Sequence, residues 1–180
     1  MFNNVVSRIM QKMIAESGGQ LHDINHFMKV YAFAQTIGVQ ENLNDTEQET
    51  LEIAAILHDI ACPLCREKYG NTDGKYQEKE GVPLASAFLL DFNLLAGMTE
   101  RIVYLVGHHH TYTAVDGLDY QILLEADFLV NADEGTLSKE AIKNAGEHFF
   151  KTKTAKDLLN MIYLIEDKER GEDCGLHPSL

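Results

Sequence analysis

Residues 51–62, LEIAAILHDIAC, combine a run of apolar side chains with an adjacent histidine and aspartate, His58 and Asp59. The apolar spacing predicts a buried helix, and an imidazole and a carboxylate at the end of such a helix are costly to place near a core unless something binds them. We expect a metal ion to do so. Because adjacent helical residues point about 100° apart, both reach one ion only if other helices supply the remaining ligands.

Length and composition predict an ordinary globular protein. With 180 residues, of which 45% are hydrophobic, the chain is long enough for one compact domain, and we expect a single domain over residues 1–180. The start of the chain lacks a basic segment followed by a long apolar one. No later run approaches the roughly 20 apolar residues of a membrane span. These features predict a cytoplasmic protein that does not associate with membranes.

The charge distribution excludes one class of partner. The formal net charge of −13 opposes sequence-independent attraction to nucleic-acid phosphates, so we expect no non-specific nucleic-acid binding. Residues 60–79 differ from the rest of the chain, with four basic against three acidic side chains. Two interpretations of this segment stay open: a basic patch beside the metal ligands, or chance variation within a solvated loop.

Hydrophobic periodicity predicts an all-α bundle of about eight helices and no strands. Asp23 is the expected N-cap of the second helix, and Asp45 with Gln48 resembles a capping box that begins the third. Pro63 is expected to end that third helix just beyond Asp59. The predicted helices cover about 2–16, 24–38, 45–60, 83–91, 100–107, 118–131, 139–151 and 155–169, and a long loop covers about 61–78.

Two further side chains complete a candidate metal site. His26 lies in the first turn of the second predicted helix, and Asp127 lies on the apolar face of the helix at about 118–131. Each has an ordinary structural explanation when taken alone, as a first-turn polar residue or as the partner of a buried base. A shared metal accounts for all the burial costs together, so we expect His26, His58, Asp59 and Asp127 to be its ligands.

The order of these residues resembles the HD-domain superfamily of metal-dependent phosphohydrolases. The family's three motif elements match His26, the dipeptide His58-Asp59, and Asp127 within EADFLVN. The resemblance implies an HD-like metal-binding core over about 23–131, flanked by helices at 1–16 and 139–169. It also implies a phosphohydrolase that cleaves a small phosphoester, such as a nucleotide, by means of a metal-activated water.

Many members of this superfamily bind a second metal through additional histidines. His108 and His109 match the paired histidines of those members, whereas the expected single histidine upstream falls near Gln77 or Glu80. Glu80 can ligate a cation through oxygen, so a second ion held by Glu80, His108 and His109 stays open. The competing explanation for residues 108–110 is that they are ordinary histidines, stabilised by the dipole at a helix end.

The residue types predict the metal and the remaining roles. Histidine ligands suit Mn, Fe, Co, Ni or Zn better than Mg, and we expect one such divalent ion, with two as the alternative. Asp59 is expected to be catalytic through that ion, and His109 or His110 to protonate the leaving oxygen if not itself a ligand. Arg66 and Lys75, from the basic segment, are the candidates to hold the substrate phosphate.

Two other functions also stay open. The superfamily contains di-iron oxygenases, so a dinuclear site does not by itself establish hydrolysis. A ligand-binding module that has kept the metal for stability and performs no chemistry is the second alternative. An oxygenase would bind two iron ions and take up oxygen, whereas a binding module would show no turnover.

Two short motifs have a weaker case as functional sites. His22 and His26 have the i, i+4 spacing of helix-borne zinc proteases, but His22 lies outside the helix if Asp23 is its cap. Cys62 and Cys65 have the CxxC spacing of redox or zinc sites, yet there is no second such pair. The odd count of three cysteines, which includes Cys174, predicts reduced thiols.

Overall fold

Helices account for all the regular secondary structure of residues 5–165, which are the residues that the computed structural model describes. The all-α prediction is therefore confirmed. No helix within this range is long and apolar enough to cross a bilayer. The helices are α1 (Val5–Glu16), α2 (Leu21–Gln40), α3 (Asp45–Leu57), α4 (Cys62–Tyr69), α5 (Gly74–Leu89), α6 (Met98–Val106), α7 (Leu118–Glu134), α8 (Lys139–His148) and α9 (Lys153–Leu159), followed by a π-helical segment, Asn160–Leu164.

Helix α3 is the centre of the bundle. Leu51 and every residue from Ile53 to Leu57 are fully buried, because α1, α2, α6 and α7 all pack against this helix. A helix that is apolar on all sides is stable only when neighbours cover each side. The predicted buried stretch is thus the core of the fold, and its C-terminal end carries His58 and Asp59 into the middle of the other helices.

The segment predicted to be a long loop is mostly helical. Pro63 lies in the first turn of α4, where the N–H that proline lacks has no intrahelical acceptor, so it begins a helix instead of only ending one. Gly70 then ends α4 with φ 72°, a left-handed conformation that glycine adopts without strain. Helix α5 begins at Gly74, and Pro83 lies in its interior instead of at its start.

Two predicted helix caps are displaced by a few residues. Helix α2 begins at Leu21, so Asp23 lies within the first turn and is not the N-cap. The capping box of α3 is formed by Asn44 and Glu47: the Asn44 side chain accepts from the backbone of Glu47, and the Glu47 side chain accepts from the backbone of Asn44. Because α2 begins at Leu21, His22 lies inside this helix. The prediction that His22 lies outside the helix that carries His26 was therefore wrong.

Near the two ends of the chain the predicted helices are present with shifted bounds: α8 ends at His148 instead of near 151, and the helical segment after α9 ends at Leu164. Ser138 caps α8 by accepting from the backbone N–H of Ala141 at 3.2 Å. The last predicted helix begins slightly earlier than expected, after a Thr152 cap. Residues 2–4 of the first predicted helix, residues 166–169 of the last and Cys174 lie outside the described residues.

A buried glutamate fixes the segment before α9 to α7. Glu125 is fully buried and accepts hydrogen bonds from the Gln121 side chain, the backbone N–H groups of Lys151 and Thr152, and the Thr152 hydroxyl. Thr152 is also the N-cap of α9. One carboxyl group thus satisfies several buried donors at the point where α9 docks against the rest of the bundle.

Replacing Glu125 with alanine leaves the backbone N–H groups of Lys151 and Thr152 and the Thr152 hydroxyl without this acceptor, whereas the Gln121 amide keeps the Phe149 carbonyl. Each unsatisfied buried group costs about 1–3 kcal/mol, so we expect the free energy of unfolding, measured by urea denaturation, to fall by about 3–5 kcal/mol. Glu125→Gln keeps one acceptor oxygen and should lose less. The control is Glu67→Ala on the exposed face of α4, expected within about 0.5 kcal/mol of wild type. Equal losses in Glu67→Ala and Glu125→Ala would contradict the role of Glu125.

Candidate metal centre

The structure brings the four predicted ligands to one place. His26 comes from α2, His58 and Asp59 from the turn after α3, and Asp127 from α7. The Nε2 atom of His26 lies 3.2 Å from both His58 Nε2 and Asp127 Oδ1, and 3.5 Å from Asp59 Oδ2. The Nε2 atom of His58 lies 3.5 Å from Asp127 Oδ1. These nitrogen and oxygen atoms face a common centre.

The contact made by Nδ1 of each ring determines whether the Nε2 atom that faces the centre carries a proton. Nδ1 of His58 lies 2.8 Å from the carbonyl oxygen of Ala55, and Nδ1 of His109 lies 2.7 Å from that of Val106. A carbonyl only accepts, so each Nδ1 carries the proton of the neutral ring and each Nε2 presents a lone pair. Nδ1 of His26 is held in the same way by a carboxylate, that of Glu134, at 2.8 Å.

The buried centre therefore has more acceptors than donors. Three imidazole Nε2 atoms and the carboxylates of Asp59 and Asp127 converge there, and His109 Nε2 forms no hydrogen bond among the described residues. Buried acceptors that face one another without a proton or a cation between them are strongly unfavourable. A mixed set of imidazole nitrogens and carboxylate oxygens fits a divalent transition metal. The donor chemistry of this site is thus compatible with the predicted ion.

Asp59 belongs to two groups of ligating atoms. Its Oδ2 faces His26 and His58, while its Oδ1 lies 3.4 Å from His109 Nε2. The two sets with mutually close ligating atoms are His26 with His58 and Asp59, and Asp59 with His109 and His110. In both sets the ligating atoms lie within 4.8 Å of one another. The arrangement offers one carboxylate to two neighbouring positions.

Two of the residues predicted for a second ion belong to neither group. His108 donates from Nδ1 to the carbonyl of Tyr104 at 2.7 Å, and its ring stacks on that of Tyr104. Glu80 accepts from the hydroxyl of Tyr69 at 2.6 Å and from the ammonium of Lys68 at 2.9 Å. His110, whose buried Nε2 has no hydrogen-bond partner in the described chain, takes the position for which His108 was predicted.

A cavity of about 160 Å³ lies over the ligands. Arg66 is in its wall, where its guanidinium forms an ion pair with Asp23. Lys75 is outside the cavity: its side chain is 68% exposed and its ammonium lies 3.8 Å from Asp73. Of the two predicted phosphate-binding side chains, the structure brings only Arg66 to the site.

The pKa values follow from burial and from the neighbouring charges. Burial alone would lower the pKa of His26, but its hydrogen bond with Asp127 and the charges of Asp59 and Asp127 raise that pKa to about 9. Burial would raise the pKa of Asp59, yet the neighbouring histidines, His58 foremost, hold it well below its ordinary value. Hydrogen bonds with His26 and His58 hold the pKa of Asp127 low in the same way. Burial and the neighbouring His109 lower the pKa of His110 to about 4.

Supporting residues surround the ligands, and the sequence analysis did not identify them. Asn131 donates from its amide to Asp127 Oδ1 at 2.8 Å, and Glu134 accepts from His26. Their spacing from Asp127 is i+4 and i+7, so all three share one face of α7, which was a readable signal. Glu78 accepts from the backbone N–H of His110 at 3.0 Å and so fixes the histidine triplet.

The two weaker motifs do not form metal groups of their own. His22 shares α2 with His26, but its side chain is 78% exposed and its Nε2 is 3.9 Å from Glu134 Oε2. Cys62 and Cys65 are free and buried. The thiol of Cys62 donates to Gln77 Oε1 at 3.2 Å, and its burial, followed by the nearby charge of Asp59, raises its pKa.

The chain resembles known proteins in its family signature and in its fold. The family model described as HD domain matches residues 23–168 of the chain. The crystal structure of a predicted HD superfamily hydrolase from an uncultured Thermotogales bacterium is similar, with a TM-score of 0.62 and 24% identity over 90% of this chain and 85% of that one. At that identity the similarity concerns the fold. No curated protein matches the chain significantly.

The raised pKa of His26 predicts how the metal-free protein responds to pH. Because the folded pKa, about 9, lies above the ordinary value of 6.5, protonated His26 stabilises the fold fully below pH 6.5 and loses that contribution as pH rises through 9. In the presence of a chelator, we expect the stability of wild type relative to His26→Gln to fall by about 3 kcal/mol between pH 6 and pH 10. A difference in the free energy of unfolding between the two proteins that stays constant from pH 6 to pH 10 would contradict the assignment.

Proposed function

The chain belongs to the HD-domain family, and from that premise we propose that it is a metal-dependent phosphohydrolase that cleaves a small phosphoester, such as a nucleotide. The observation that carries the proposal is the convergence of three imidazole Nε2 atoms and two ionised carboxylates in one buried place. Such a set requires positive charge, which comes from protons in the metal-free protein, as the raised pKa of His26 indicates, or from a bound cation.

In this proposal His26, His58, Asp59 and Asp127 hold a divalent Mn, Fe, Co, Ni or Zn ion. When bound, such an ion supplies a Lewis acid for the phosphoryl oxygen and a nucleophilic water at neutral pH. The protein's part is to orient these ligands and to keep the carboxylates of Asp59 and Asp127 ionised. The backbone carbonyl of Ala55 fixes the ring of His58, and the amide of Asn131 fixes the carboxylate of Asp127.

The same cavity suggests how the substrate is held. Arg66 has a planar guanidinium that suits bidentate binding of a phosphate, and it lies in the cavity wall. Its present partner is Asp23, so a phosphate that binds Arg66 competes with that carboxylate. We therefore propose that Arg66 orients the phosphate. Lys75, which lies away from the cavity, has no part in this proposal.

We further propose that His109 and His110, with Asp59, form the position for a second ion. Both Nε2 atoms are buried and lack a hydrogen-bond partner within the described residues. If only one ion binds, these two histidines are the candidates for proton transfer to the leaving oxygen, and of the two it is His110 that lines the cavity, since His109 is fully buried. The number of bound ions decides between these roles.

Metal analysis and turnover test this proposal together. Elemental analysis of protein purified without added metal or chelator should give one or two equivalents of a transition metal per chain. Hydrolysis is measured with bis(p-nitrophenyl) phosphate and with a panel of nucleotides. We expect Asp59→Ala and His58→Ala to lose metal and to lose more than about 100-fold in turnover, since partners that only support the ligands already cost 10–100-fold.

The control is His22→Ala, because this histidine lines the same cavity but is mostly exposed and belongs to neither ligand group. It should keep the metal content of the wild type. Full activity in Asp59→Ala would contradict the assigned site. Two iron ions with oxygen uptake would favour the oxygenase, and bound metal without any turnover would favour the non-catalytic module.

A further inference from the structure

Glu134 occupies an electrostatically unfavourable position for a carboxylate. It is the last residue of α7, and the free carbonyl groups at the C-terminal end of a helix carry partial negative charge. Its side chain is also only 16% exposed, so water screens this repulsion poorly. The helix alone gives no reason for an acidic residue here, so the reason lies in what the carboxylate contacts.

The two carboxylate oxygens of Glu134 have different partners. Oε2 lies 2.8 Å from Nδ1 of His26, and Oε1 accepts from the ammonium of Lys29 at 3.1 Å. Lys29 is about half exposed, and such an ion pair contributes little to stability. Its contact holds Oε1, however, and so turns Oε2 towards the imidazole. The contact with His26 is the shorter and the more buried of the two.

His26 differs from the other two converging histidines in how its ring is held. Backbone carbonyls accept from Nδ1 of His58 and of His109, so the helix backbone itself sets those tautomers. Nδ1 of His26 is held by the side chain of Glu134. The orientation of His26 therefore depends on a residue that can be substituted without changing the backbone or any atom that faces the metal centre.

We propose that Glu134 is the positioning residue for His26. By accepting the Nδ1 proton it keeps the lone pair of Nε2 directed at Asp127 and His58, where the proposed function places the ion, and it makes that nitrogen a stronger ligand. The inference rests on the proposed function. Glu134 contacts Nδ1 of His26, whereas the atoms that face the proposed ion are on the Nε2 side of the ring, which distinguishes positioning from direct ligation.

The experiment compares three variants at adjacent positions. Glu134→Ala removes the acceptor, and Glu134→Gln keeps an acceptor oxygen without the charge. Asp133→Asn removes one charge from the preceding residue, whose side chain faces solvent. The first readout is the Mn²⁺ dissociation constant from competition with a chromophoric chelator. The second is the His26 tautomer, from ¹⁵N–¹H NMR of metal-free protein at pH 10, where the neutral ring predominates.

We expect Glu134→Ala to weaken Mn²⁺ binding 10–100-fold and to shift the neutral His26 ring from the Nδ1–H tautomer to a mixture. Glu134→Gln should keep the Nδ1–H tautomer and recover most of the affinity, because its amide oxygen also accepts. Asp133→Asn should bind Mn²⁺ within about twofold of wild type, which limits the contribution of long-range charge to a small value.

Several results would overturn the inference. Mn²⁺ affinity in Glu134→Ala equal to that of wild type would show that His26 needs no positioning. Equal weakening in both Glu134 variants, with the Nδ1–H tautomer kept in each, would assign the effect to charge alone. If wild type binds neither Mn²⁺ nor Fe²⁺, Co²⁺, Ni²⁺ or Zn²⁺, the proposed function fails, and the tautomer of His26 in the metal-free variants still decides whether Glu134 orients the ring.

Discussion

The structure depends on a local excess of buried acceptors over donors. Nε2 atoms of His26, His58 and His109 and the carboxylates of Asp59 and Asp127 share a centre in which most of these groups are fully or nearly fully buried. The protein cannot relieve this excess by turning the rings, because each Nδ1 is already committed to a carbonyl or a carboxylate. Positive charge has to come from protons, as the raised pKa of His26 indicates, or from a bound cation.

The fold provides both the free energy and the geometry for this arrangement. The C-terminal half of helix α3 is enclosed by apolar neighbours, and that burial offsets the cost of ending the helix in an imidazole and a carboxylate. Because the ends of α2, α3 and α6 meet beside the middle of α7, ligands far apart in sequence become neighbours. The supporting contacts of Asn131, Glu134 and Glu78 then restrict each polar group to one orientation.

Sequence reasoning succeeded where periodicity carried the information. The burial of α3 follows from its run of apolar residues, and a shared metal was the more economical explanation for His26, His58, Asp59 and Asp127, four residues that the structure brings together. It failed where a single turn decides the outcome. Pro63 is equally compatible with ending one helix and beginning the next, and only packing selects the second.

The histidine triplet shows the same limit at the level of the site. Consecutive residues beyond a helix end point in quite different directions, so sequence alone does not distinguish His108 from His110 as the partner of His109. The choice is made by Tyr104, whose carbonyl and ring hold His108, and by Gly74, where any Cβ atom would lie within 3 Å of the His110 ring. That approach is possible because α5 begins with a residue that lacks a side chain.

The charges around the cavity also constrain how the proposed phosphate substrate would bind. Asp23, Asp59, Asp127 and Glu134 line it, and among the described residues of its wall Arg66 is the basic side chain other than histidine, already paired with Asp23. A phosphate entering this site meets more negative than positive protein charge, which repels it. In the proposed function, the affinity for phosphate would therefore come mainly from the bound cation. Because Asp59 faces both groups of ligating atoms, a second ion would add positive charge without any further carboxylate and would strengthen the attraction of the site for the proposed substrate.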